Sequence, residues 1–139
     1  MRLTRAGLRE RVGTPVELAH RASSIFHQEI TTMNAPTQLP SFAGKTFEVR
    51  YDGLTAINAY ADDGIHMRYE ITEGAYSGAK GEVAYTWQHV AGEIYAISWQ
   101  EADRSTVVHI DDFAAGTSRS FFTASSLDFY RLEGSLRAL

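Results

Sequence analysis

The chain has 139 residues, is 44% hydrophobic and contains 7 Tyr, 7 Phe and 2 Trp, which is enough for one domain with a core and too little for two. It has no cysteine, which excludes disulfides, thiolate metal sites and a cysteine nucleophile. The net charge of −4 argues against binding to nucleic acid or to an anionic membrane surface. No apolar run approaches the ~20 residues of a membrane span, so we expect a cytoplasmic protein.

Residues 1–40 are predicted to form an extension of the main domain. Thr14-Pro15-Val16-Glu17 combines an N-cap, a proline at the first helical position and a capping-box glutamate. The sequence therefore predicts a helix over about 15–28, followed by a linker from Asn34 to Pro40, with Met33 as an alternative start. The helix has an apolar face that would cover the main domain or a partner subunit, and we expect a homodimer. The apolar face consists of Leu18, Ala22, Ile25 and Phe26.

Residues 41–139 have the pattern of an antiparallel all-β domain. Short runs of β-forming residues alternate with turn residues such as Asp52-Gly53 and Ala91-Gly92. The pattern predicts eight strands, over about 46–51, 54–61, 65–71, 81–90, 93–101, 105–112, 117–123 and 127–137.

The order of these elements favours an up-and-down barrel. The connections are short and no helix intervenes, so each strand is expected to pair with the next, and closing the sheet would remove its exposed edges. A seven-stranded sandwich is the competing fold, but its Greek-key topology needs longer connections. The longest gap, Thr72 to Lys80, is the best candidate for a loop over one end of the barrel.

Six aromatic residues are predicted to share the interior, because alternation places every second side chain of a half-buried strand on the core face. Eight strands enclose either a packed core or one small ligand. The polar tips of Tyr and Trp need partners when buried, which favours the wall of a pocket, whereas ordinary β-propensity would also explain aromatics in a packed core. The six residues are Tyr51, Tyr69, Tyr85, Trp87, Tyr95 and Trp99.

Glu101 continues the alternation of Tyr95, Ile97 and Trp99. If the strand is regular to its end, this carboxyl group projects from the rim into an aromatic cavity, where burial would raise its pKa into the range useful for proton transfer. If the strand ends at Trp99, Glu101 is instead an exposed hairpin residue beside Asp103.

The histidines are weaker candidates for catalytic residues than Glu101. His109 and Asp111 lie two residues apart on one strand face, as in a histidine–carboxylate dyad. Val108 and Ile110 on the opposite face are better core residues, so a solvated His109 is expected. The sequence has no metal-ligand spacing, no Gly-rich phosphate loop and no GxSxG motif, so we expect neither a metal nor a cofactor.

Two segments resemble known families, FAGKTFEVRYDG at 42–53 and IYAISWQE at 94–101. Together with Thr106 to Phe113 and the closing Phe129 to Gly134, they are similar to the MoaF-like family, named for molybdenum cofactor biosynthesis protein F, over most of residues 40–137. The two segments are also similar, more distantly, to the phenolic acid decarboxylases.

The resemblance implies a calycin-type, lipocalin-like barrel, often dimeric, with a ligand cavity. Phenolic acid decarboxylases are cofactor-free lyases that use a Tyr pair, an Arg and a Glu. In this sequence the Glu matches Glu101 and one Tyr matches Tyr51. The other Tyr position holds Val49 and the Arg position holds Glu70.

Three functional hypotheses follow. The first is a barrel that binds a small hydrophobic or aromatic molecule in a pocket lined by the six aromatic residues. The second is a cofactor-independent lyase or isomerase in which Glu101 moves a proton and Tyr51 stabilises a developing oxyanion. The third is a non-catalytic module whose N-terminal helix mediates assembly.

Overall fold

A computed structural model describes residues 38–139 of the chain. They form a closed barrel in which each strand pairs antiparallel with the next and β8 pairs with β1, which confirms the predicted all-β up-and-down barrel. The predicted helix over about 15–28 lies outside the described residues, within which no helix could span a membrane. The strands are β1 Thr46–Tyr51, β2 Leu54–Tyr60, β3 His66–Gly74, β4 Lys80–Ala91, β5 Ile94–Gln100, β6 Thr106–Asp112, β7 Thr117–Thr123 and β8 Phe129–Ala138.

The turn residues identified in the sequence form the tight hairpins. Gly53 has a φ of +75° and Gly92 a φ of +52°, in the left-handed region that glycine enters without a steric penalty. These turns allow β1 to pair with β2 and β4 with β5 over short connections.

Because consecutive strands are antiparallel, successive hairpins lie at opposite ends of the barrel. The loops after β1, β3, β5 and β7 share one end, which we call the mouth, and comprise residues 52–53, 75–79, 101–105 and 124–128. The loops after β2, β4 and β6 share the other end with the segment that precedes β1, and we call it the closed end.

An aromatic cluster fills the closed end. Phe42, in the turn before β1, is only 1% exposed, and its ring centroid lies 4.6 Å from that of Tyr60 and 5.0 Å from that of Phe113. Burial raises the pKa of the Tyr60 and Tyr85 hydroxyls, which have no hydrogen-bond partner among the described residues. We call this group the closed-end cluster; its members are Phe42, Phe47, Tyr60, Tyr85, Tyr95 and Phe113.

The expectation that His109 is solvated is wrong. The register places His109 opposite Ile97, which is fully buried, and directly opposed residues of an antiparallel pair share a face. His109 and Asp111 are therefore inside the barrel, 4% and 0% exposed, whereas Val108 faces outward at 38%. A hydrogen bond from Ser118 on β7 to Asp111, together with the contact between His109 and Asp111, makes this burial of polar groups possible.

Candidate functional site

The barrel interior between the mouth and the closed-end cluster is a cavity of about 760 Å³. This volume is in the range of sites that hold one small molecule. Aliphatic and aromatic side chains from six strands form most of its wall, which makes the cavity apolar along its sides. These side chains are Val49, Leu54, Ala56, Ile71, Val107, Phe122 and Leu132.

Two larger aromatic side chains, Tyr69 and Trp99, also line the cavity. Tyr69 lies against Gly81 of the neighbouring strand, where a Cβ atom would come within 3.0–3.1 Å of the phenol. A larger residue at position 81 would therefore displace this phenol. The Trp99 ring centroid lies 5.0 Å from that of His109, so the indole spans the wall toward the deeper part of the cavity.

Glu101 lies at the mouth and lines the cavity, although β5 ends one residue earlier. Its carboxylate accepts a hydrogen bond of 3.5 Å from Nε1 of Trp99. Burial raises the pKa of Glu101, the bond from Trp99 opposes that rise, and the charge of Asp103 adds to it. Burial and the charges of Glu101 and Asp103 likewise raise the pKa of Tyr69.

Asp103 is a second carboxylate at the mouth with a different environment. It accepts a 2.8 Å hydrogen bond from the backbone N–H of Ser105, and hydrogen bonds from Ser105 lower its pKa. Asp103 therefore stays ionised near neutral pH, whereas Glu101 is the mouth carboxyl whose pKa is raised.

Tyr51 and His109 line the inner end of the cavity and contact the buried side chains of Asp111 and Ser118; we call these four residues the polar floor. Ser118 Oγ donates to Oδ1 of Asp111 at 2.5 Å. Since the only hydroxyl hydrogen of Ser118 is used in that bond, the 2.6 Å contact between Tyr51 and Ser118 must be donated by the Tyr51 hydroxyl. Nδ1 of His109 lies 3.3 Å from Oδ2 of Asp111.

Burial and the negative charge of Asp111 raise the pKa of Tyr51, which keeps its hydroxyl protonated as a donor. Asn58 and Ser120, both nearly buried, line the cavity next to the polar floor. The cavity thus combines apolar sides with polar groups concentrated at its two ends.

The structure brings together four of the residues predicted from the sequence on the cavity wall: Tyr51, Tyr69, Trp99 and Glu101. Tyr85 and Tyr95 belong instead to the closed-end cluster, and the Trp87 ring packs 5.9 Å from that of Tyr95. Sequence reasoning missed the inward orientation of His109 and Asp111. The sequence does contain a signal for this orientation. Ser118 and Ser120 on the next strand are two residues apart, as His109 and Asp111 are, so that the polar residues of both strands can share one face.

No metal site is evident in residues 38–139. No group of three or more His, Asp or Glu side chains there is positioned to hold a metal ion.

Comparisons with known proteins place this geometry in a family. The family model described as MoaF-like matches residues 43–137. Among solved structures, a crystal structure from Burkholderia vietnamiensis, described provisionally as a β-lactamase, is 77% identical with a TM-score of 0.73, and the match covers 74% of this chain and 100% of that chain. Among curated proteins no match is found. The chain belongs to the MoaF-like family.

Proposed function

We propose that this barrel binds a small, flat, largely hydrophobic molecule in its cavity. The observation that carries this proposal is the cavity of about 760 Å³ between the mouth and the closed-end cluster. A protein that needed only a stable core would fill such a space, because packing to high density is what stabilises protein interiors.

The composition of the wall supports an apolar ligand with a few polar groups. Aliphatic side chains, Tyr69 and Trp99 line the sides, while polar groups lie at the floor and at the mouth. Binding sites for small molecules typically combine apolar walls with a small number of polar groups that orient the ligand. A homodimer and a cytoplasmic location stay predictions from the sequence.

The Burkholderia vietnamiensis protein is described provisionally as a β-lactamase, but residues 38–139 of this chain do not form the site that a serine β-lactamase would need. Acyl transfer by a serine needs a base within hydrogen-bond reach of the hydroxyl. The Ser118 hydroxyl donates to the carboxylate of Asp111, but Ser118 is only 1% exposed and does not line the cavity in which a substrate would bind. Among residues 38–139 no serine side chain is hydrogen-bonded to a histidine or lysine nitrogen.

The two tryptophans of the chain provide a test of the proposal, because Trp99 lines the cavity and Trp87 does not. We expect one- and two-ring aromatic compounds that do not absorb in the tryptophan emission range to quench the fluorescence of Trp87→Phe, in which only Trp99 emits. The emission of Trp99→Phe should change little. A ligand at 100 times its Kd should also stabilise the fold by about 2.7 kcal/mol, measured as a rise in Tm.

The two variants are matched, since each removes one of two indoles and keeps an aromatic ring. Quenching confined to Trp99→Phe would locate binding outside the cavity. No change in emission or Tm with any compound of a broad panel would contradict the proposed function.

A second candidate function is a cofactor-independent lyase or isomerase acting on an aromatic or unsaturated small molecule. The observation that favours it is the raised pKa of Glu101 at the cavity mouth, which suits a group that both gives and takes protons. In this mechanism Glu101 moves the proton and the Tyr51 hydroxyl orients the substrate or stabilises an oxyanion. Tyr51 now donates to Ser118, so it would have to redirect its hydrogen toward the substrate.

A further inference from the structure

We propose that the polar floor selects ligands by the direction of one hydrogen bond. Nε2 of His109 acts as an acceptor, so the preferred ligand is a flat apolar molecule whose inner end carries a hydroxyl or N–H donor. This inference rests on the proposed function, because it concerns the same cavity, and it adds the chemical class of the ligand.

The direction follows from the order of donors and acceptors along the polar floor. A carboxylate such as that of Asp111 has only acceptor sites. One oxygen accepts from Ser118 and the other faces Nδ1 of His109. The hydrogen of a neutral His109 is therefore on Nδ1, which leaves Nε2 with a lone pair and no hydrogen.

The one side-chain hydrogen bond of His109 within residues 38–139 is made by Nδ1, and the imidazole ring lines the cavity, so Nε2 is free to contact a ligand. A ligand that donates to Nε2 gains a hydrogen bond inside the cavity that a ligand without a donor cannot make. Asn58 and Ser120 also line this part of the cavity, but an amide and a hydroxyl can each donate or accept. His109 is thus the group at the inner end whose role, as an acceptor at Nε2, is determined by the surrounding hydrogen bonds.

The length of the cavity limits the size of the ligand. Ile97 lies opposite His109, and Glu101 follows four residues later, so the floor and the mouth are about 13 Å apart at ~3.3 Å per residue. The Trp99 ring and Val107 lie between them. A two-ring aromatic molecule with its donor at the floor would contact both and still leave Glu101 accessible at the mouth.

The test compares 2-naphthol with 2-methoxynaphthalene, which has the same ring system but no hydroxyl hydrogen. By isothermal titration calorimetry we expect the wild-type protein to bind 2-naphthol about 3- to 10-fold more tightly, as one additional hydrogen bond implies. In His109→Gln the preference should fall to about 1-fold, because an amide can orient toward either ligand. His66→Gln, which changes an exposed histidine at the closed end, should keep the wild-type preference.

Nitrogen-15 NMR of the histidine side chains gives a second measurement that does not depend on how well His109→Gln folds. We expect the ligand-free protein to show a hydrogen on Nδ1 of His109 and none on Nε2, and the Nε2 signal to shift when 2-naphthol is added. A hydrogen on Nε2 in the ligand-free protein would overturn the inference.

The outcomes separate this inference from the proposed function. Equal affinity of the wild-type protein for the two compounds, with both shifting the indole N–H signal of Trp99 in NMR spectra, would overturn the role of His109 and leave the cavity as a binding site. A preference for 2-naphthol that persists in His109→Gln would also overturn that role. Failure of both compounds to bind would contradict the inference and count against the proposed function as well.

Discussion

Replacing Phe42 by alanine is expected to destabilise the barrel by about 3–5 kcal/mol, as for other buried phenylalanines. Phe42 is 1% exposed and lies against Tyr60, Tyr85, Tyr95 and Phe113 at the closed end. Its removal would leave a void that these rings cannot fill, since Tyr60, Tyr85 and Tyr95 are anchored on separate strands and Phe113 directly follows β6. Urea denaturation of the wild type and of Phe42→Ala measures the difference in the free energy of unfolding. In thermal unfolding the Tm of the variant should be lower by roughly 10 °C or more.

Tyr76→Ala is the matched control, because it also removes an aromatic ring but from a loop position that is 71% exposed. Its stability should stay within about 0.5 kcal/mol of the wild type. A loss below about 1 kcal/mol in Phe42→Ala would show that the residue does not seal the closed end.

Replacing Glu101 by glutamine is expected to reduce turnover by about 10²–10⁴-fold, the usual contribution of a general acid or base, for any substrate the protein is found to convert. The substitution keeps the size of the side chain and its hydrogen bond with Trp99 but removes the titratable proton. Circular dichroism should show an unchanged fold. Decarboxylation or isomerisation of unsaturated small molecules, followed by loss of absorbance, measures the rate.

Asp103→Asn is the control for Glu101, since it neutralises another carboxylate that lines the mouth. Hydrogen bonds from Ser105 lower the pKa of Asp103, so this group is ionised near neutral pH and its loss should change turnover by less than about 10-fold. Turnover that survives in Glu101→Gln would rule out the proton-transfer mechanism and leave the binding function unaffected.

The strands and their order could be predicted because local sequence determines them. Alternating hydrophobic residues mark each strand, and turn residues such as Asp52-Gly53 fix the hairpins that join them. Once every connection is a hairpin, the sequential pairing of an up-and-down barrel follows. Phe42 could not be recognised as a core residue in this way, since it precedes the first strand and belongs to no alternating pattern.

The predicted orientation of β6 was wrong because it rested on hydrophobicity alone to choose the face that points into the barrel. Val108 and Ile110 are more apolar than His109 and Asp111, but the register with β5 turns the polar pair inward. This arrangement is stable only because Ser118 on β7 and Asp111 satisfy each other. That partner comes from another strand and is not visible in the pattern of β6 itself.

The sequence pattern also could not predict how far along the barrel axis each inward-facing aromatic side chain lies. Alternation shows that Tyr69, Tyr85, Trp99 and Tyr95 face the same side of their strands, but it does not show which end of the barrel is filled. The three-dimensional arrangement separates them, with Tyr69 and Trp99 on the cavity wall and Tyr85 and Tyr95 around Phe42.

The most direct measurement of the binding function is an NMR titration of the protein with 2-methoxynaphthalene, observed through backbone amides and the two indole N–H groups. We expect chemical-shift changes at Leu54, Ile71 and Val107 and at the indole of Trp99, with the indole of Trp87 unchanged. Changes confined to outward-facing residues such as Val108 and Phe129, or no changes at millimolar concentrations of the compound, would contradict a ligand-binding cavity.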